Sequence, residues 1–194
     1  MKYFKIASIL TLIAVICAAI IASFNLLTAS TIQKNKEETE LKTYQLIYED
    51  YSYNKDITEN LDDSTEYYSY IEKAVICYDK SDNMLGYVYS VSGKNSYGSI
   101  SLMVAIEDSL VTQVEFVENT ESFASTVEKH VKSSYPSSSS DVIYIGFNES
   151  ISSKVNSLSY NDVLSIDTKC SATSGAKLVQ KLVIAALNAK VKEA

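Results

Sequence analysis

The stretch Asp167-Thr-Lys-Cys-Ser-Ala-Thr173 runs directly into residues 174–190, whose apolar side chains recur at helical spacing. A helix start exposes backbone N–H groups that have no partner inside the helix, together with the positive end of the helix dipole. Such a start suits a phosphate or another anion, and the hydroxyl of Thr173 is expected to lie beside it. The helix is predicted to have one apolar face, formed by Leu178, Val179, Leu182, Val183, Ala186 and Leu187.

Upstream of this helix, the sequence contains two pairs of β-prone runs, and each pair is joined by turn residues. Residues 74–78 and 85–91 flank a polar turn, and residues 100–106 and 110–117 flank Glu107-Asp108-Ser109. Short runs joined in this way predict β-hairpins, and two hairpins predict an antiparallel sheet. We therefore predict an α+β fold in which the C-terminal helix packs on the sheet.

The remaining segments complete this prediction. Residues 121–132 are predicted to form a helix, residues 133–140 a polar loop and residues 142–145 a short strand. Residues 163–166 are predicted to form a strand, which would make the C-terminal part a strand, a turn and a helix. Residues 53–70 are polar and rich in tyrosine, so we expect a loop or a short irregular helix there.

The N-terminal segment predicts a membrane anchor. Residues 6–33 carry no charge, and their apolar part is long enough for the roughly 20 residues that a bilayer-spanning helix needs. A retained span is favoured over a cleaved signal peptide, which has a shorter apolar core. Lys2 and Lys5 precede the span, whereas the two lysines after it are soon offset by glutamates. The positive-inside rule therefore favours an internal N-terminus and an extracytoplasmic main domain.

The predicted organisation has three parts. Residues 1–30 are the transmembrane anchor, residues 31–72 are a helical stalk and connecting segment, and residues 73–194 are the main domain. Removing the two lysines ahead of the span takes the formal charge from −7 to −9 for the rest of the chain. Such a negative domain argues against nucleic acid as a partner.

The cysteines and the single histidine do not define a catalytic or metal site. Cys17 lies in the predicted span, so only Cys77 and Cys170 can form an extracytoplasmic disulfide, and the sequence leaves that pairing open. His130 lies on a predicted helix and is interpreted as a surface histidine, because it cannot build a zinc site alone. We find no nucleophile–base pair in the sequence, so the domain is not expected to turn over a substrate by itself.

The motif Asp167-x-x-Cys170-Ser171-Ala172-Thr173 resembles the flavinylation motif of the FMN-binding domain family. In that family the motif is usually Asp-x-x-Ser/Thr-Gly-Ala-Thr/Ser, and a flavin transferase joins FMN to the last hydroxyl through a phosphoester. The chain most resembles the G subunit of Rnf-type ion-translocating electron transport complexes, and shares this domain with the C subunit of sodium-pumping NADH:quinone oxidoreductase. The resemblance continues, in the family's order, at Asn25-Leu-Leu-Thr28, Leu85-Gly86-Tyr87, Ser96-Tyr97-Gly98-Ser99-Ile100, Val104-Ala-Ile-Glu-Asp108 and Glu118-Asn119-Thr120-Glu121-Ser122.

The resemblance implies a membrane-anchored flavoprotein that carries FMN covalently on Thr173. It also implies that this protein relays electrons as a subunit of an Rnf-type ion-translocating ferredoxin:NAD oxidoreductase complex. The implied partners are the other membrane subunits and the flavin transferase that matures the protein. The implied FMN-binding residues are Asp167, Ser171, Ala172, Thr173, Ser174, Gly175 and Lys177 near the attachment point, and Tyr97, Gly98, Thr120 and Glu121 near the flavin ring.

The sequence also departs from the family pattern. Cys170 and Ser171 stand where Ser and Gly are usual, and the ring-side loop lacks the family's Thr-Pro-Gly. A second register places Lys177 at the acceptor position, but only the Thr173 register keeps Asp167 in the motif. Two alternatives remain: a free-standing extracytoplasmic FMN-binding electron-transfer protein, and a degenerate scaffold subunit without flavin.

Overall fold

The computed structural model describes residues 2–138 and 156–192 of the chain. Their contacts define two compact units, residues 1–42 and residues 43–194. Two single-turn 3-10 helices, Thr58–Asn60 and Tyr68–Tyr70, lie in the second unit. In chain order, the helices and strands are α1 (Lys2–Ile47), β1 (Tyr53–Asp56), β2 (Ile71–Tyr78), β3 (Met84–Asn95), β4 (Gly98–Glu107), β5 (Leu110–Asn119), α2 (Ala124–Ser134), α3 (Tyr160–Ser165) and α4 (Thr173–Leu187).

Helix α1 contains the predicted membrane anchor. It is long and apolar enough to cross a bilayer, and the side chains described along its apolar part are exposed within the structure. Ser and Thr side chains on this helix donate to carbonyls one turn earlier, for example Thr11 Oγ1 to Ala7 O at 2.9 Å. Their polar groups are therefore satisfied locally, as an apolar environment requires. One N-terminal apolar helix fits single-pass membrane anchoring.

The five strands form one antiparallel sheet in the order β1-β2-β3-β4-β5. Both predicted hairpins are confirmed: β2 pairs with β3, and β4 pairs with β5. The turn between β4 and β5 contains Asp108 and Ser109, both with positive φ, which matches the twist that two-residue hairpin turns need. A third hairpin joins β3 to β4 and closes at the pair Asn95 and Gly98.

The two faces of the sheet bury different clusters. On the front face, strand residues such as Tyr89 and Leu102 pack with Leu182 of α4 and Val127 of α2. On the back face, neighbouring strand residues such as Val88 pack against the end of α1 through Tyr44 and Ile47. The alternation of Val88 and Tyr89 between the two faces follows the period of two expected of a strand. The predicted packing of α4 on the sheet is confirmed.

The two faces of the sheet also show whether Cys77 and Cys170 can form a disulfide. Cys77 belongs to the back cluster, whereas Cys170 packs against the front cluster. Both are free thiols in the structure. A disulfide requires Cα atoms within about 7 Å, and a sheet lies between these two residues. Cys77 and Cys170 therefore do not form a disulfide in this fold.

Two of the predicted segments were wrong in type. Residues 163–166 are not a strand: Ser159 and Asp162 form a capping box that starts helix α3, which includes Val163. Residues 53–56, expected to be loop or irregular helix, form the edge strand β1, whose pairing includes Tyr53 opposite Tyr78.

Two further predictions concern the segment after β5. The helix predicted at residues 121–132 is observed as α2, Ala124–Ser134, so the first two residues of the predicted loop at 133–140 are helical. The predicted strand at 142–145 lies outside the described residues.

Candidate functional site

The N-terminus of α4 provides backbone donors without a side-chain cap. Ala172 is the residue before the first turn, and no side-chain hydrogen bond caps the helix. Ala176 N donates to Ala172 O at 3.0 Å and so begins the helical hydrogen-bond ladder. The amides of Thr173, Ser174 and Gly175 precede this bond and have no partner inside the helix. They point in the direction that favours an anion.

The hydroxyl of Thr173 lies at this helix start. Thr173 is half-buried, and its Oγ1 donates to Cys170 O at 2.6 Å. The turn before it is ordered by Asp167, whose Oδ1 accepts from Lys169 N at 2.8 Å. Among the described residues, those with positive φ do not include Ser171. The backbone here therefore does not require the glycine that the family usually has at this position.

Asp167 also affects the nearest titratable side chain on α2. Burial lowers the pKa of His130, and the Asp167 carboxylate partly opposes that shift. His130 is half-buried rather than a surface residue, and its Nε2 has no hydrogen-bond partner in the structure.

A second part of the site is the β3–β4 turn. Asn95 Oδ1 accepts from Tyr97 N at 2.7 Å, and Tyr97 O accepts from Ser122 N at 3.0 Å and from Ser122 Oγ at 3.2 Å. Gly98 has φ of +150°, a conformation that L-residues rarely adopt. A Cβ at Gly98 would lie 2.5 Å from Thr120 O, so the glycine lets the turn approach the loop that follows β5.

That loop carries a buried carboxylate. Glu121 is only 5% exposed, and Asn95 Nδ2 donates to its Oε1. The carboxylate lies against the first turn of α4, since a Cβ at Gly175 would be 2.8 Å from Glu121 Oε1. A negative charge is stabilised beside the positive end of a helix dipole. The glycine at position 175 is thus required for the close approach of Glu121 to α4.

These three segments together line one cleft of about 190 Å³. Its volume lies below the roughly 300–1,000 Å³ of sites that bury most of a small-molecule ligand, so a ligand of nucleotide size would extend beyond it. The residues that line it are Tyr97, Glu121, Phe123, Ser171, Ala172, Thr173, Ser174 and Gly175. Seven of these eight are FMN-binding residues predicted from the sequence.

The other four predicted residues do not line the cleft. Gly98 and Thr120 form the contact that holds the β3–β4 turn to the loop, and Asp167 orders the turn before α4. Lys177 is exposed one turn into α4. Sequence reasoning missed Phe123 and the bridging Asn95. An apolar residue directly after a polar loop is a weak signal for Phe123, and nothing in the sequence pattern marks Asn95.

Comparison with known families bears on the first part of the chain. Residues 3–47 match the family model described as the RnfG N-terminal region. The N-terminal region of this chain is RnfG-like. No curated protein matches the chain.

The match has the same C-terminal limit as α1, because both end at Ile47. The RnfG-like region therefore comprises the apolar helix and the residues at its end that pack on the back of the sheet, Tyr44 and Ile47. The match does not extend to the sheet, to α4 or to the cleft.

Proposed function

We propose that this chain is a membrane-anchored flavoprotein that carries FMN covalently on Thr173. In this proposal it relays electrons as a subunit of an Rnf-type ion-translocating ferredoxin:NAD oxidoreductase complex. The observation that carries the proposal is the cleft, where Thr173 and the open start of α4 lie beside the β3–β4 turn and the buried Glu121. Three separate parts of the chain meet there, and the sequence motif alone does not require them to meet.

The residues present fit the phosphate end of FMN. The first-turn amides of α4 provide donors, and the hydroxyls of Ser171 and Ser174 line the same cleft. A phosphoester at Thr173 retains negative charge, which the helix dipole stabilises. Lys177 is exposed and free to add positive charge one turn further along. The side chain of Ala172 is small and leaves room for the donor nucleotide at the acceptor hydroxyl.

The residues also fit the ring end. Tyr97 has an aromatic ring at the cleft, and Glu121 and the Thr120 backbone provide polar groups close to it. When bound, FMN supplies reversible electron transfer, in one- or two-electron steps, that no amino-acid side chain here provides. The contribution of the chain is to bind the cofactor, to orient it and to set the charge around it.

Covalent attachment of FMN requires the hydroxyl of Thr173 to react. Its hydroxyl gives up a proton, and its oxygen replaces the second phosphate of the donor's pyrophosphate, so that a nucleotide leaves and a phosphoester forms. In the structure that hydroxyl donates to Cys170 O. The side chain must therefore break this hydrogen bond during transfer, a net cost of about 0.5–1.5 kcal/mol. A half-buried threonine on the first turn of a helix can rotate without unfolding the helix.

Localisation is part of the proposal. The lysines ahead of the span favour an internal N-terminus, which puts the cleft on the extracytoplasmic side of the membrane. There, a cofactor held only by reversible contacts would be lost by dilution once it dissociated. A covalent bond to Thr173 removes that loss, which is a physical reason for attaching FMN outside the cytoplasm.

The test is the intact mass of the full chain, produced with a flavin transferase and purified in detergent. We expect an increase equal to FMN minus one water, retained after denaturation and assigned to the peptide that contains Thr173. Thr173→Ser should keep the adduct because it keeps the hydroxyl, whereas Thr173→Val should lose it. Ser165→Ala is the matched control for loss of a hydroxyl outside the cleft, because Ser165 is exposed on α3, and it should keep the adduct.

The same measurement separates the alternatives. If Thr173→Val keeps the added mass and Lys177→Ala loses it, the acceptor is the lysine and the Thr173 assignment is wrong. If the wild-type chain has only the mass of its amino acids, the chain is a scaffold without flavin. Co-purification with polytopic membrane subunits distinguishes a subunit of a complex from a free-standing flavoprotein.

A further inference from the structure

The side chains of Tyr97 and Phe123 form an aromatic pair that lines the cleft. The rings of Tyr97 and Phe123 have centroids 6.1 Å apart and planes 65° apart, an edge-to-face arrangement. Both side chains are about half exposed, at 49% and 48%. Both also line the cleft that contains Thr173. Two half-exposed rings that line the cleft leave apolar surface uncovered within reach of a ligand there.

The backbone holds this pair in place. Tyr97 is fixed by the hydrogen bond that its backbone N–H donates to Asn95 Oδ1 and by two hydrogen bonds from Ser122 to its carbonyl. Ser122 is the residue before Phe123, so these hydrogen bonds also fix the second ring relative to the first. Phe123 directly precedes α2 and its side chain makes no capping hydrogen bond. The ring of Phe123 is therefore not needed to start the helix.

We propose that Tyr97 and Phe123 together bind the planar ring of the ligand in this cleft, and that this ring is the isoalloxazine of the flavin on Thr173. The inference rests on the proposed function. The cleft has an anion-binding end at α4 and an aromatic end at Tyr97 and Phe123. A ligand that fits both ends has a phosphate and a flat apolar ring system, as FMN does.

The angle between the two rings assigns them different contacts. Because the planes are 65° apart, a planar ligand that lies parallel to one ring meets the other ring edge-on. Offset-stacked and edge-to-face contacts are the two favoured geometries between aromatic rings. Tyr97 and Phe123 can thus contact the same planar ring from two sides, one by stacking on it and the other edge-on.

The test measures how accessible the flavin ring is in the full chain, produced with a flavin transferase. Acrylamide is a neutral quencher. The slope of the inverse flavin emission lifetime against acrylamide concentration increases as the flavin ring becomes more exposed. Phe123→Ala and Tyr97→Ala should each increase this slope about twofold or more, because one aromatic contact shifts the packed-to-free ratio by roughly two- to tenfold. Phe123→Tyr keeps the ring and should match the wild type.

Tyr53→Ala is the matched control. Tyr53 is also exposed, at 43%, and stacks on Tyr78 with centroids 5.1 Å apart, but it lies on the edge strand β1. Its removal should leave the quenching slope unchanged. Intact mass is measured on every variant, so that only chains with the flavin are compared.

Each outcome decides between the inference and the proposed function. A full flavin mass with an unchanged quenching slope in both alanine variants overturns the aromatic pair and leaves flavinylation standing. An equal rise in Phe123→Ala and Tyr53→Ala also overturns it, because the effect is then not local to the cleft. Absence of the flavin mass from the wild-type chain overturns both.

Discussion

Gly98→Ala should destabilise the main domain more than an alanine at any ordinary strand position. Gly98 has φ of +150°, and a Cβ there would lie 2.5 Å from Thr120 O and 2.7 Å from the Cα of Glu121. The backbone conformation costs an L-residue about 1–3 kcal/mol, and forced contacts with fixed backbone atoms cost about 1–3 kcal/mol more. We expect a loss of about 2–6 kcal/mol in the free energy of unfolding, which lowers the melting temperature by roughly 4–24 °C.

Gly93→Ala is the matched control in the same hairpin. A Cβ there meets Leu178 Cδ1 at 2.8 Å, the far end of a flexible side chain, and the backbone angle is ordinary. Its net cost should be about 1 kcal/mol. Melting of the full chain in detergent is followed by near-UV circular dichroism, which here reports tyrosine because the chain has no tryptophan. Equal melting temperatures for the two variants would refute the assigned role of Gly98.

Three further predictions follow from the same structure. A C-terminal alkaline phosphatase fusion should be active, and a C-terminal fluorescent reporter that folds only in the cytoplasm should be dark, because the positive-inside rule places the main domain outside. Burial raises the pKa of Cys77 and that of Tyr89 to about 12 each, so these two groups ionise first in the unfolded state above about pH 9. The free energy of unfolding should therefore fall between pH 9 and pH 12, and Cys77→Ala should reduce that fall in pH-dependent melting. Gly175→Ala should cost about 1–3 kcal/mol in the same melting assay, because a Cβ there would displace both Val127 and the Glu121 carboxylate.

The sheet was predictable from the sequence because its strands carry local signals. Alternation such as Val88 on the back face and Tyr89 on the front face sets both strand type and register. The Asp108–Ser109 turn fixes the β4–β5 hairpin by its own chemistry. The last helix was predictable for a similar reason, since buried residues such as Leu178 and Leu182 repeat at helical spacing.

The wrong predictions came from segments where a short pattern fits two structures. Val163 and Ile166 are buried while Leu164 and Ser165 are exposed, which is the spacing of a helix face. Four apolar-rich residues do not reveal this spacing, and the capping box at Ser159 decides the outcome. Strand β1 has no buried residue in its pattern, so it forms only because β2 offers it an open edge. Pairing of this kind depends on tertiary structure, which the β-propensity of a segment does not reveal.

The site was partly predictable because its two halves have different origins. The motif that ends at Thr173 is continuous in sequence, and a motif of that kind can be found without a fold. Asn95 and Phe123 belong to the site only because the β3–β4 turn and the loop after β5 meet α4 in space.

Ser171 and Gly175 show how the two halves of the candidate site are connected. In this structure Ser171 needs no positive φ, and the glycine required for close approach is Gly175, one helical turn later, where Glu121 lies against the helix. The cleft therefore forms without a glycine at position 171, because the close approach is at Gly175, where a Cβ would meet Val127 Cγ2 at 2.5 Å and Glu121 Oε1 at 2.8 Å. Ser171→Gly should therefore leave the melting temperature within a few degrees of the wild type, whereas Gly175→Ala should lower it.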